Sequence, residues 1–305
     1  MHIPDNFLST PVWAVMDAIS IPAFGLIARR ASRDLDESRI PLLGVLGAFV
    51  FAAQMINFPV GIGTSGHLVG AALLACTLGP SGAAVVMTAI IAIQAFIFQD
   101  GGVLALGANV FNMAIAGVLA GYLPYRVWGN TGARRTAIFL GGFLSVLVGA
   151  SLALVELLIS GVRMPRTVIL VSVGLFCISA LIEGAITLSV LEAIGKLNPG
   201  WVRGPSRTNN RVAWVLGGVA LALTLAGFLI ASTDPDGLEK LGLQLGMTAR
   251  TAFQAPLADY SAPIAGSVWV RRAAAGLTGL IGIYGACLLI GRLILQRKQV
   301  QQESV

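Results

Sequence analysis

The chain of 305 residues holds two histidines, His2 and His67, which confine any imidazole chemistry to two places. His67 sits in Gly61-Ile-Gly-Thr-Ser-Gly-His67-Leu, where an apolar run begins. An ionisable group in such a run is a functional candidate; its plainer reading is a hydrogen bond to a neighbouring helix. His2 adds a specific possibility. The Met1 amine, the His2 amide nitrogen and the His2 imidazole Nδ1 can chelate one ion through a five-membered and a six-membered ring, with the planar peptide holding all three nitrogens in one plane. A fourth nitrogen completes a square, and His67 is the only other histidine to supply it. Square-planar nitrogen ligation selects Ni(II) or Cu(II) over Mg(II) or Ca(II), which take oxygen. The plain alternative for His2 is a solvated chain end. Against it, Ile3-Pro4-Asp5-Asn6-Phe7-Leu8 is too apolar to dangle and is expected to tuck into the fold. No secretory signal pattern opens the chain, and the bulk of His2 predicts that Met1 is kept with a free amine.

Such a site must be carried by membrane helices. Hydrophobic residues make up 56%, charged residues 11%, and mean hydropathy is +0.84; a soluble globule carries about 25% charged residues. Between residues 40 and 125 the only Asp, Glu, Lys or Arg is Asp100. The composition excludes a soluble enzyme, a disordered chain and a collagen-like fibre. The expected fold is all-α, a polytopic transmembrane helix bundle of about 7 spans plus 2 C-terminal ones. Apolar runs fall at 11–29, 40–57, 66–79, 81–98, 108–124, 136–160 and 167–194, then 212–231 and 272–294. The third is too short for a full crossing and is expected to begin inside the bilayer, its ends covered by neighbouring helices.

The net charge of +6 is no nucleic-acid signal, because the basic residues lie in short clusters between apolar runs. Most fall at 29–39, 126–135, 196–211 and 292–298, which the positive-inside rule places in the cytoplasm, with the N-terminus outside and the C-terminus cytoplasmic. Cys76, Cys177 and Cys287 are isolated in apolar runs and read as buried thiols. No Gly-x-x-x-x-Gly-Lys-Ser/Thr loop and no His-Glu-x-x-His occurs, so neither ATP hydrolysis nor the common helical zinc-protease chemistry is encoded. With two histidines, a Ser-His-Asp triad has little to build on. Glu156 and Glu183 lie deep in apolar runs and read either as proton relays or, preferably, as partners of polar groups between helices.

Several blocks resemble one known family. Met1-His-Ile-Pro-Asp5 with Phe7-Leu8, the stretch Phe51 to Leu68, and Gln99-Asp-Gly-Gly102 with Ala105 to Met113 are similar to the CbiM/NikM proteins. These are the substrate-capture (S) components of cobalt/nickel energy-coupling-factor transporters. Pro235-Asp-Gly-Leu-Glu239 and Pro256-Leu-Ala-Asp-Tyr260 resemble the small CbiN/NikN accessory subunit, here fused at the C-terminal end. The resemblance implies a metal-capture transmembrane domain at 1–205 and an accessory PDGLE-type domain at 206–305, with two spans and an external loop. It implies Met1, His2 and His67 as metal ligands and Asn109 covering the site from outside; Gln54, Asn57, Thr64 and Ser65 read equally as support for the ligating rings or as hydrogen-bonding groups between helices. Asn6 stands where the family has glycine; asparagine is the next residue to tolerate a positive φ. No catalytic cofactor is implied, and Ni(II) or Co(II) would be the transported substrate. The implied partners are a CbiQ/NikQ-like coupling membrane subunit, CbiO/NikO-like cytoplasmic ATPases and the lipid bilayer, with no nucleic acid. Two rival readings are a membrane metal-dependent hydrolase at His67 with Asp100 as its carboxylate, and a secondary metal transporter that works without ATPases.

Overall fold

A computed structural model describes residues 1–61, 63–197, 210–249, 251 and 254–303. The expected boundary near residue 205 lies outside them. The helices are α1 (Thr10–Asp34), α2 (Ile40–Gln54), α3 (Ala71–Ile93), α4 (Leu106–Asn109), α5 (Val118–Trp128), α6 (Arg134–Ile159), α7 (Arg166–Leu197), α8 (Asn210–Ala226), α9 (Gly237–Gln244) and α10 (Val268–Glu303). The π-helical segment Gln94–Phe98 extends α3, and another, Val110–Gly117, joins α4 to α5. The only sheet among the described residues pairs Phe58–Pro59 antiparallel with Ser65–Gly66, directly before His67.

Among the described residues six helices are long and apolar enough to cross a membrane: α1, α3 with its π extension, the α4–α5 unit, α6, α7 and α10. The shorter α2 and α8, with 15 and 17 residues, account for two further apolar runs. The remaining two expected runs, 66–79 and 81–98, share α3. There Gly79 takes φ 77°, ψ 165°, and Pro80 follows. The backbone cannot stay helical through such a pair: glycine supplies the left-handed φ, and proline blocks the helical bond that would cross the joint. The chain reverses here. Val69, just before the helix, and Met87, beyond the break, both meet the side-chain amide of Gln54, whereas an unbroken helix would hold them about 27 Å apart. The third run is thus a short arm that starts at Ala71, later than expected, because Ser65 and Gly66 pair with Phe58 and Pro59 and Gly70 takes a left-handed φ of 77° at the helix N-cap.

The main core fills the space between α2, both arms of α3, α5 and α10, through Leu43, Leu46, Phe51, Leu74, Met87 and Ile283. A second cluster lies toward the histidines: Ile3, Phe7 and Leu8 pack against Ala150, Leu154, Phe176, Leu238 and Leu241. Burying such side chains is worth about 1.5–3 kcal/mol each relative to water, so the N-terminal segment is tucked in as its composition predicts. Gly242 in α9 allows this, because a Cβ there would overlap the Phe7 ring.

Candidate metal centre

Asn6 has φ 71°, the positive-φ turn expected of a glycine replacement, and it turns the chain back toward α1. Ahead of it the backbone is clamped. Asn109 Oδ1 accepts from Ile3 N at 2.8 Å, Asn109 Nδ2 donates to Ile3 O at 3.0 Å, and Gly102 N donates to the same carbonyl at 2.9 Å. The Asp5 carboxylate accepts from Leu104 N at 2.8 Å. Asn109 therefore grips the residue next to His2, with Gly101 of the preceding loop packed against His2 itself.

Held in this way, Met1 and His2 meet His67. The Met1 amine lies 2.8 Å from His67 Nε2, and the His2 and His67 rings are within 10° of parallel with centroids 5.6 Å apart. Nitrogens bound at about 2.0 Å to one metal and at right angles to each other stand about 2.8 Å apart. The amine and His67 Nε2 therefore already sit at the spacing of neighbouring ligands. His67 Nδ1 lies 2.9 Å from Leu68 O, which fixes the ring and turns Nε2 inward, the arrangement usual for a ligating histidine. His2 is 3% exposed; its Nδ1 lies 3.0 Å from Asp100 Oδ1, and its Nε2 has no hydrogen-bond partner.

Two carboxylates complete the cluster: Asp100, expected beside His67 only in the hydrolase reading, and Asp236, which was not expected there. Asp236 Oδ2 accepts from the Met1 amine at 2.6 Å, and its Oδ1 caps α9 by accepting from Leu238 N and Glu239 N. Asp100 Oδ2 accepts from the Tyr260 hydroxyl at 2.5 Å. Burial, reinforced by the terminal ammonium and His2, pushes the His67 pKa down to about 4. Burial alone would raise both aspartates; the ammonium and His67 hold Asp236 below the usual carboxylate range, and His2 holds Asp100 well below it. Among the described residues no three His, Cys, Asp or Glu side chains form a metal-ligand cluster. A cavity of about 500 Å³ opens above the site, lined by Asp5, Asn57, Gln99, Asp100, Asp236 and Tyr260 among others.

Two of the four polar residues expected near the rings, Gln54 and Ser65, bond elsewhere. Gln54 bonds Val69 O and Gln94. Ser65 bonds the accessory segment, its amide to Pro235 O at 2.9 Å and its hydroxyl to Asp234 O at 2.7 Å. Asn57 accepts Ser232 N through its carbonyl at 2.7 Å, and Thr64 is buried. Glu156 accepts from Asn112 Nδ2, while Glu183 binds backbone amides near His67. Glu156 thus pairs across from α6 to the segment Val110–Gly117, and Glu183 pairs with the chain just ahead of α3.

Fold and site together define a multi-pass membrane protein of the metal-transport class. Residues 2–201 match the model of the CbiM family, described as the cobalt uptake substrate-specific transmembrane region, and the chain belongs to that family. A protein of Haloquadratum walsbyi that bears the name of a metal transport protein is 38% identical over 201 residues, 65% of this chain and 92% of that one. One of Archaeoglobus fulgidus, bearing the name of a fused nickel transport protein, NikMN, is 33% identical over 269 residues, covering 86% of this chain and 89% of that one. A crystal structure of a transition metal transporter superposes with a TM-score of 0.58 at 29% identity, covering 73% of this chain and 99% of that one. The family is one of transporters, so the hydrolase reading falls away.

Proposed function

We propose that the protein captures Ni(II), or Co(II), from the external side in a square of nitrogens: the Met1 amine, the His2 amide and Nδ1, and His67 Nε2. The observation that carries this reading is the 2.8 Å separation of the Met1 amine and His67 Nε2, with buried His2 between its own chelating amide and the shared space. Nickel is favoured because a planar field that includes a deprotonated amide suits a d⁸ ion. Cu(II) would bind at least as tightly, so discrimination falls to supply and gating. When metal binds, His2 Nδ1 exchanges Asp100 for the ion, and the Met1 amine loses a proton beside Asp236.

Residues 1–205 are the capture domain and 206–305 the accessory domain in this reading, supported by the family match ending at residue 201. The accessory domain is more than an appendage, because Asp236 touches the first ligand and residues 234 and 235 bind Ser65. The last turns of α1, α5 and α7 carry Arg33, Arg126 and Lys196, and His2 precedes the opposite end of α1, which supports an external site and a cytoplasmic C-terminus. A coupling membrane subunit and cytoplasmic ATPases drive release inward. Optical titration of the chelator-stripped protein with Ni(II) tests the site: a planar spectrum supports it, and an octahedral or tetrahedral one refutes it. Uptake by reconstituted protein without any ATPase would favour the secondary-transporter alternative.

A further inference from the structure

The ring of His67 is set by the backbone that follows it, and that backbone is held from α7. Glu183 is fully buried, and its two carboxylate oxygens accept from Val69 N at 2.7 Å and Gly70 N at 2.8 Å. These are the two residues that lead into the short arm of α3. Gly70, the N-cap, has φ 77° and no side chain with which to cap the helix itself. Hydrogen bonds from amides to a carboxylate are roughly twice as strong as neutral ones, and a paired carboxylate at a helix start also meets the positive end of the helix dipole. One turn earlier on the same face of α7, Ser179 lies against Gly66, where an added Cβ would come within 3.0 Å of its hydroxyl. α7 therefore braces the chain on both sides of His67. Between these two points sits Leu68, whose carbonyl lies 2.9 Å from His67 Nδ1.

We propose that Glu183 is the positioning residue of His67: by fixing the amides of residues 69 and 70 it places the Leu68 carbonyl, which turns the imidazole so that Nε2 faces the Met1 amine. The inference rests on the metal site proposed above. Glu183 does not touch the ion; it acts through two backbone amides and one carbonyl. Its chemistry requires two accepting oxygens at one place. Glutamine supplies only one, and its amide group would confront a second N–H.

The test is a double-mutant cycle on the full chain, with Ni(II) and Cu(II) as probes; the higher intrinsic affinity of copper keeps binding measurable when one ligand is lost. E183Q is expected to weaken Cu(II) binding about 10–100-fold, the range seen when groups that orient metal-bound histidines are removed, and to shift the absorption band of the bound ion. In the H67A background the same substitution should cost nothing further, since interacting residues are non-additive. E156Q, a buried glutamate of α6 paired with Asn112, should leave affinity and band unchanged. If E183Q does not accumulate as folded protein, E183D, which keeps the charge and shortens the reach, carries the same expectation. Wild-type affinity and spectrum in E183Q, or an equal loss with and without His67, would overturn the proposal. An H67A protein that binds both ions normally would instead refute the site itself.

Discussion

Replacing Asn109 by alanine removes the clamp on Ile3, and the structure sets the size of the effect. Two hydrogen bonds are lost, of which the one to the Ile3 carbonyl is worth about 1 kcal/mol net. The Ile3 carbonyl keeps Gly102 N as a donor, but the Ile3 amide, in a residue 1% exposed, keeps no partner. A buried orphan amide costs about 1–3 kcal/mol, so the total is about 3 kcal/mol. That cost falls on the arrangement in which Met1 and His2 face His67. At about 1.4 kcal/mol per factor of ten, nickel affinity should drop on the order of 100-fold while the helical bundle persists. Asn109→Asp sharpens the test. It still accepts from the Ile3 amide, but sets a carboxylate oxygen against the Ile3 carbonyl. It should weaken binding as well, although its charge alone would attract a cation. Competition titration with a coloured nickel chelator reads the affinity, and thermal unfolding of the stripped protein reports the fold. Wild-type affinity in Asn109→Ala would refute the claim that the clamp positions the ligands.

Other outcomes follow from the same geometry. Asp236→Asn keeps a good N-cap for α9 and loses the charge facing the Met1 amine, whereas Asp236→Ala loses both; thermal unfolding should place Ala about 1 kcal/mol below Asn, and equal stabilities would refute the capping role. Metal affinity should rise with pH, because the amide of His2 must release its proton. His67, with its pKa pushed down to about 4, is already neutral at pH 6 and adds no step there; a pH titration of the His67 ring by NMR with its midpoint between 6 and 7 would contradict this. The depressed pKa also means that the stripped protein is favoured by a neutral His67 above pH 6.5 and loses that contribution as pH falls toward 4, which acid unfolding of wild type and H67A would compare. Gly79→Ala forces a side chain into φ 77° at a cost of about 1–2 kcal/mol, and unchanged thermal stability would argue against the reversal.

The nine apolar runs, the tucked N-terminal segment and the histidine pair could all be read from the sequence, because each rests on local composition or on the rarity of one residue type. The positive φ of Asn6 was legible for the same reason: few residues tolerate it. Of the carboxylates around the site, Asp100 was placed beside His67 only in the hydrolase reading, and Asp236 was not foreseen. Asp236 lies 235 positions from Met1, and its contact depends on α9 docking under Phe7, which no periodicity records. Asp100 was visible as the only charge in a long apolar stretch, yet its pairing with His2 required the clamp on Ile3. Gln54 and Ser65 were noticed as polar residues near His67 but serve the α3 reversal and the accessory segment. Glu183 carries no local signal that distinguishes a relay from a backbone brace; its bonds to Val69 and Gly70 lie 114 and 113 positions away.

The measurement that bears most directly on the site is nickel binding to protein whose chain start has been verified by intact mass, compared with the same protein carrying one extra residue before Met1. The extension turns the amine beside His67 into an amide and pushes the chain end against Asp236. The account predicts tight binding with a planar spectrum in the first and loss of both in the second; equal affinity and an unchanged spectrum in the extended protein would contradict it.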